Sequence, residues 1–196
     1  MGRLSAGNVF GYASLVLDAG AEAIRAVLPG YRPVWGVATD NRRAIPGYKM
    51  YLRRSDGVRP AVYVAFLDLE PDPGGEIEGI VRPVSKEKLD ELDRRERNYD
   101  RIEVTREIVS DGAPVEGPVW AYRGSRAGRE RLRRGRAEGC AVVSRDYAEK
   151  VVAGFRLLGE EDYGRHLVST GLDGLPVWDL ERLDLPPHPP DAEGSD

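Results

Sequence analysis

The sequence predicts an α+β fold: a small, mostly antiparallel β-barrel with flanking helices. Twenty-three glycines and fourteen prolines among 196 residues indicate many turns, which is more typical of strands and loops than of a helical bundle. Five or six β-prone segments are separated mainly by short turns, so neighbouring strands can pair antiparallel and close into a barrel. One stretch with helical spacing, 85–99, interrupts the strands.

The composition is that of a soluble globular domain, with 41% hydrophobic and 32% charged residues. A net charge of -4 gives the whole molecule no attraction to nucleic acid or to an anionic membrane. Cys140 is the only cysteine and there are two histidines, so the chain can form neither an internal disulfide nor a Cys/His zinc cluster. We see no signal-peptide pattern and no apolar run near 18 residues, and therefore expect a cytoplasmic protein.

Segment 8–16 begins with a short β-prone run, Val9-Phe10, that breaks at Gly11. A strand that runs into a glycine-led turn presents backbone amides at its end. Such amides can hold a carboxylate or stabilise an oxyanion, although strand, glycine and turn in sequence are also an ordinary structural feature. Both interpretations stay open for this segment.

The following residues predict mainly extended structure. Segment 21–28 predicts a short helix that stops before Pro29-Gly30. The acidic segment 70–78 predicts a solvated loop, because its spacing is not that of an EF-hand calcium loop. Strands are predicted where aromatic or β-branched residues lie between turn signals: 31–38, 49–53, 59–68, 77–84, 101–109 and 118–123.

The stretch 85–99 predicts an amphipathic helix with Ser85 as its N-cap. Four residues follow at helical spacing and form one face: Leu89, Leu92, Glu96 and Tyr99. Glu96 therefore lies on the face that should meet the core, where glutamate is rare unless it is paired. Apolar surroundings suit a carboxylate to proton transfer at neutral pH. The structural alternative is a glutamate at the edge of this face, held by a neighbouring arginine.

Segment 123–136 contains seven arginines and three glycines. We predict a solvated loop here and, as a second choice, a lid over an anionic substrate. A nucleic-acid site ranks below both, because the segment has no interleaved aromatic residues and the protein is acidic overall.

The C-terminal part predicts two further helices and a tail. Ser144 precedes an amphipathic helix that runs to residue 158, and a second helical stretch covers 162–170. His166 lies in that stretch without a cysteine or second histidine nearby, so we interpret it as structural. The proline-rich residues 186–196 predict a disordered tail after a single domain, 1–185.

Four segments, taken in order, resemble the gamma-glutamylcyclotransferase-like family. VFGYASLV at 9–16 is similar to the family's strand-end motif, and LPGYRPVW at 28–35 is similar to the segment that follows it. Segment 78–99 resembles the motif that carries the catalytic glutamate. Residues 144–158 with Tyr163 resemble the closing Ser-x-x-Tyr…Gly…Tyr pattern.

This resemblance implies a cavity in a small β-barrel and conversion of a γ-glutamyl amide or amine-linked substrate to 5-oxoproline and free amine, without a cofactor or metal. Glu96 takes the general acid/base position. The substrate-binding loop comprises Tyr12, Ala13, Ser14 and Leu15. Ala13 replaces the usual glycine of the family and would be strained if that position requires a positive φ.

The leaving amine stays open: glutathione, a γ-glutamyl amino acid, a γ-glutamyl-lysine-type amine or a biosynthetic protecting group. The alternative is a non-catalytic small-molecule binding module on the same fold. Glu96 favours the enzyme, because a binding module needs no acid on its core face. We expect a small γ-glutamyl substrate, no nucleic-acid or membrane partner, and a chain that could form a homodimer.

Overall fold

The computed structural model describes residues 7–112, 114–161, 163–164 and 174–186. The strands are β1 (Gly7–Gly11), β2 (Ile24–Asp40), β3 (Lys49–Arg53), β4 (Tyr63–Val84), β5 (Tyr99–Glu103), β6 (Val109–Ser110), β7 (Val119–Gly124), β8 (Ala141–Ser144), β9 (Val177–Trp178) and β10 (Leu180–Asp184). The helices are a 3-10 helix (Ala13–Asp18), α1 (Lys86–Arg95), α2 (Arg126–Ala137) and α3 (Arg145–Leu158).

The long strand β4 organises the main sheet of eight strands. It pairs antiparallel with β2 and β1 and parallel with β8, in a sheet whose central order is β5-β7-β1-β4-β2-β6. Strands β3 and β10 form a separate antiparallel pair. The α+β class with mostly antiparallel strands and flanking helices is confirmed. Among the described residues, however, no ladder joins β5 to β6, so the sheet does not close fully into a barrel.

The core lies between the main sheet and the helices packed against it. Its largest fully buried side chains include Phe10, Leu28, Tyr63, Ile77 and Phe155. Each such side chain contributes about 1.5–3 kcal/mol relative to its exposed state. This burial holds β1 and β4 against α3, and so fixes the loop that follows β1.

Two predictions of local structure are wrong in this region. Segment 21–28, predicted as a helix, enters β2 at Ile24, and its side chains alternate, with Ala26 and Leu28 buried. Segment 70–78, predicted as a loop, continues β4 through its prolines and glycines and pairs with β2, with a register shift between Pro29 and Tyr31. In both cases pairing between two distant segments overrides the local propensity.

The arginine-rich segment is also not the predicted loop, because it forms α2. Ser125 caps this helix by accepting a hydrogen bond from the Gly128 amide at 3.1 Å. Leu132 is buried between Gly128 and Gly135, which share its face of the helix. A Cβ at Gly128 would lie 2.6 Å from the Asn98 carbonyl oxygen, and one at Gly135 would lie 2.8 Å from Tyr63 Cβ. The glycines therefore let the helix backbone pack directly against its neighbours.

The predicted amphipathic helix after Ser144 is confirmed as α3, and it packs on the 3-10 helix that follows β1. The two backbones approach closely at Gly154, where an added Cβ would lie 1.9 Å from the Ala13 carbonyl oxygen. Ala13 itself is buried. Gly154 thus allows the α3 backbone to support the loop after β1.

Gly154→Ala should destabilise the protein, although alanine is the better helix former. Overpacking costs about 1–3 kcal/mol, and contact with rigid backbone places this site at the upper end. This cost exceeds the gain of about 1 kcal/mol in helix propensity. Urea denaturation measures the difference. Ala153→Gly is the control: Ala153 is exposed, so only the propensity loss of about 1 kcal/mol is expected. A Gly154→Ala variant more stable than the native protein would contradict this close approach.

Part of the C-terminal prediction lies outside the described residues. The residues concerned are Asp162, residues 165–170, which include His166, and the tail from 187 onward. The second C-terminal helix, the structural histidine, the disordered tail and the domain limits 1–185 therefore stay predictions. None of the described helices is long and apolar enough to cross a membrane.

Candidate active site

A cavity of about 330 Å³ lies where the loop after β1, the end of α1 and the β3/β10 pair meet. Its volume is at the small end of the range for small-molecule sites. All five residues proposed from the sequence line this cavity: Tyr12, Ala13, Ser14, Leu15 and Glu96. Segments far apart in the chain are thus brought together at one pocket.

Glu96 occupies a different position on its helix from the one predicted. Helix α1 ends at Arg95, and Glu96 is its C-cap, with φ -91° and ψ 45° and its amide bonded to the Leu92 carbonyl at 2.8 Å. Leu89 and Leu92 are buried as predicted, whereas Glu96 lies where the chain leaves the helix. Its side chain is 14% exposed and borders the cavity.

The Glu96 carboxylate accepts a hydrogen bond from Arg95 Nε at 2.9 Å. The structural alternative, a glutamate held by a neighbouring arginine, therefore also describes the observed contact. A carboxylate that is oriented by a cation and also borders a cavity can still accept a proton from a bound group.

Helix α2 fixes the turn that carries Glu96. The buried Asn98, two residues further on, accepts a hydrogen bond from Arg131 at its side-chain oxygen (2.8 Å). Its carbonyl oxygen accepts from the Ser125 hydroxyl at 2.9 Å, and its amide nitrogen donates to Thr39 at 2.9 Å. The arginine-rich segment thus contributes to the site through structure, by holding the chain immediately after Glu96.

The loop after β1 is strained at Ala13. Its φ of +49° is the only positive φ at a non-glycine residue in the described part of the chain. This left-handed conformation costs an alanine about 1–2 kcal/mol, so the strain expected from the sequence is present. In the described structure the Ala13 and Ser14 amides have no hydrogen-bond acceptor, while the Leu15 amide bonds to the Tyr12 carbonyl at 3.0 Å. Strain of this kind often accompanies a functional loop.

Three tyrosines form walls of the cavity that we did not assign from the sequence. Tyr99 Oη donates to the Leu67 carbonyl at 2.6 Å, and the Leu67 amide donates to Tyr147 Oη at 3.4 Å. Tyr122 donates to Asp93 at 2.7 Å. Burial raises the pKa of Tyr99 and of Tyr147 above the usual range for a phenol, so both stay neutral. The sequence placed Tyr99 on the apolar face of a helix and gave it no role in a site.

The β3/β10 pair supplies cations that the sequence also did not reveal as site residues. Lys49 and Arg182 line the cavity. Burial lowers the pKa of Lys49 to about 8, and the Glu96 carboxylate partly opposes this decrease by favouring the charged ammonium. Among the described residues, no group of three or more His, Cys, Asp or Glu side chains could hold a metal ion.

Lys49→Met should raise the thermal stability at pH 7. Lys49 has a folded pKa of about 8 against 10.5 for an ordinary lysine, so folding opposes its charged form. The cost is fully present below pH 8 and disappears as the pH approaches 10.5. We expect a Tm increase of roughly 2–4 °C at pH 7, which shrinks at pH 10. An increase that is the same at both pH values would argue against a charge effect.

Residues 11–147 match the family model described as gamma-glutamyl cyclotransferase, AIG2-like. The chain belongs to this family. The match covers the loop after β1, Glu96 and the start of α3, and so includes all five site residues proposed from the sequence. No curated protein matches the sequence significantly.

Solved structures of other proteins are similar to this chain at low sequence identity, and those with a TM-score above 0.5 share its fold. An uncharacterized human protein is 16% identical over 96% of this chain and 92% of its own, with a TM-score of 0.51. YkqA from Bacillus subtilis is 16% identical with a TM-score of 0.56; the match covers 87% of this chain and 55% of YkqA. A yeast gamma-glutamyl cyclotransferase specific to glutathione is 16% identical over 61% of this chain and 69% of its own, with a TM-score of 0.43.

Proposed function

We propose that the protein is a cofactor-independent cyclotransferase that converts a γ-glutamyl amide or amine-linked substrate to 5-oxoproline and free amine. The observation that carries the proposal is the meeting of Glu96 with the loop from Tyr12 to Leu15 at one small cavity. Membership of the gamma-glutamyl cyclotransferase family supports the reaction class.

Glu96 is the general acid/base in this mechanism. Its carboxylate removes a proton from the substrate α-ammonium, and the freed nitrogen lone pair attacks the γ-carbonyl carbon. A five-membered ring closes to a tetrahedral intermediate, and the remaining excess proton on its ring nitrogen passes to solvent water. Glu96 delivers a proton to the leaving nitrogen, the carbon–nitrogen bond breaks, and 5-oxoproline and the amine separate. One carboxylate thus serves first as base and then as acid.

The loop after β1 supplies the electrostatic part of catalysis. The developing oxyanion is stabilised by the Ala13 and Ser14 amides, which have no acceptor within the described residues. Because attack is intramolecular, much of the rate enhancement comes from holding the substrate in a folded, ring-ready conformation. A cavity of about 330 Å³ with aromatic walls suits such confinement.

Release of 5-oxoproline from a panel of γ-glutamyl compounds tests the reaction. The panel contains a γ-glutamyl amino acid, γ-glutamyl-ε-lysine and a γ-glutamyl alkylamide, each also prepared with its α-nitrogen acetylated. We expect 5-oxoproline and amine in equal amounts from at least one free compound and nothing from any acetylated form. Glutamate in place of 5-oxoproline would indicate hydrolysis and overturn the proposal. Ligand-induced thermal stabilisation without any product would favour the binding module.

A further inference from the structure

One wall of the cavity is the antiparallel β3/β10 pair. In its register Lys49 lies opposite Asp184, and Tyr51 lies opposite Arg182. Directly opposed residues of an antiparallel pair share a face, and residues two apart on one strand do as well. Lys49 and Arg182 are therefore diagonal neighbours on the face that borders the cavity.

Most charges at the cavity are already paired. Arg95 bonds to Glu96, Arg182 bonds to Asp184 at 2.6 Å, and Asp146 bonds to Arg54 at 2.7 Å. Asp18 and Lys150 are exposed, so water and salt screen their charges. Lys49 differs from these groups, because it is partly buried and makes no ion pair with any described residue.

The surroundings of the Lys49 ammonium are aromatic. It lies 4.0 Å from the centroid of the Phe66 ring and 5.5 Å from that of Tyr48. Aromatic faces attract a cation but replace its lost hydration only in part. The pKa of Lys49 is lowered because this lost hydration is not fully replaced. A carboxylate entering the cavity would supply the missing counter-ion and form a charge-assisted hydrogen bond.

A γ-glutamyl substrate also carries an α-carboxylate on its glutamyl part, at the end opposite the leaving amine. That group shares a carbon with the α-amine and must therefore lie close to the base, Glu96. Arg95 lines the cavity beside Glu96, and among the described residues only its Nε makes a hydrogen bond. The two terminal guanidinium nitrogens of Arg95 can thus hold the α-carboxylate. Lys49 remains for an anionic group elsewhere on the substrate.

We propose that Lys49 is a specificity-determining residue that binds a carboxylate carried by the leaving amine. The substrate class is then γ-glutamyl amino acids or short γ-glutamyl peptides, in preference to γ-glutamyl amines that carry no anion. Arg182 is the diagonal neighbour of Lys49, but its charge is already paired with Asp184. The inference rests on the proposed cyclotransferase function.

Two substrates that differ in one charge test the inference: γ-glutamylglycine and γ-glutamylglycinamide. We expect the native protein to favour γ-glutamylglycine by about 10- to 100-fold in kcat/KM, the effect of one hydrogen bond between charged groups. The difference should lie mainly in KM, because the carboxylate does not react. Lys49→Met should reduce the preference to about threefold or less, with the larger loss of kcat/KM on γ-glutamylglycine.

Two variants control for charge and for folding. Lys49→Arg keeps the cation and should retain most of the preference, whereas Lys150→Met removes an exposed cavity lysine and should leave the preference unaltered. Equal losses on both substrates in Lys49→Met would mean that Lys49 binds the α-carboxylate, and would overturn the inference. An unchanged preference in that variant would overturn it too. If the native protein turned over neither substrate nor any panel member, the proposed function itself would fail.

Discussion

Glu96→Gln should lower kcat/KM for 5-oxoproline release by about 10²- to 10⁴-fold, the usual contribution of general acid–base catalysis. We expect the upper part of this range, because the carboxylate acts once as base and once as acid. Glutamine is isosteric with glutamate, and its side-chain oxygen can still accept the hydrogen bond that Arg95 Nε donates to Glu96 Oε1 at 2.9 Å in the native protein. The fold and substrate binding should therefore survive, and the loss should appear in kcat.

The matched control for Glu96→Gln is Glu91→Gln on the same helix. Glu91 is exposed and pairs with Lys88 at 2.9 Å, away from the cavity. Its replacement should leave kcat/KM within about twofold of native, since its exposed carboxylate does not line the cavity and its ion pair is screened by water. Native-like activity in Glu96→Gln, with unfolding curves matching those of the native protein, would remove Glu96 from the mechanism.

From the sequence, the residues of the site could be predicted more accurately than the bounds of the helix and strands that carry them. Glu96 could be singled out because a carboxylate on an apolar helical face is unusual, although the helix ends one residue before it. The loop after β1 could be singled out because a glycine breaks a short strand. Both signals are local, and each lies within a few residues of the group that it identifies.

What the sequence did not reveal depends on contacts between distant segments. Lys49 lines the cavity because β3 pairs with β10, near the other end of the described chain. Segment 123–136 has too few apolar residues for its hydropathy to indicate a helix. The helix that it forms packs through buried glycines and has no broad apolar face. Neither the pairing of β3 nor that close packing leaves a periodic pattern within its own segment.

The second large effect of a substitution is expected in α2, the arginine-rich helix, where Arg129 contacts Asp68. Asp68 is 1% exposed, and its carboxylate accepts hydrogen bonds from the Gly124 amide and from Arg129 Nε, the latter at 2.7 Å. Arg129 also donates to the Leu69 carbonyl at 3.2 Å. The sequence predicted a solvated loop around Arg129, whereas in the structure Arg129 forms an ion pair with this buried carboxylate.

Arg129→Met should destabilise the protein by about 2–4 kcal/mol, because removing one partner of a buried ion pair leaves the other charge uncompensated. The value lies below that for a fully buried pair, since the Arg129 side chain is 37% exposed. Urea denaturation measures the loss. Arg133→Met, on the same helix with a side chain 73% exposed, should change stability by less than about 0.5 kcal/mol.

Adding Asp68→Asn to Arg129→Met separates charge from packing. The amide side chain is neutral and can still accept from Gly124, so the double variant should recover part of the lost stability even though a further native group is gone. If the double variant were less stable than Arg129→Met alone, packing of the arginine stem would account for the effect. Recovery would establish that the arginine-rich helix stabilises the fold by neutralising a carboxylate on β4, one residue beyond the cavity-lining Leu67.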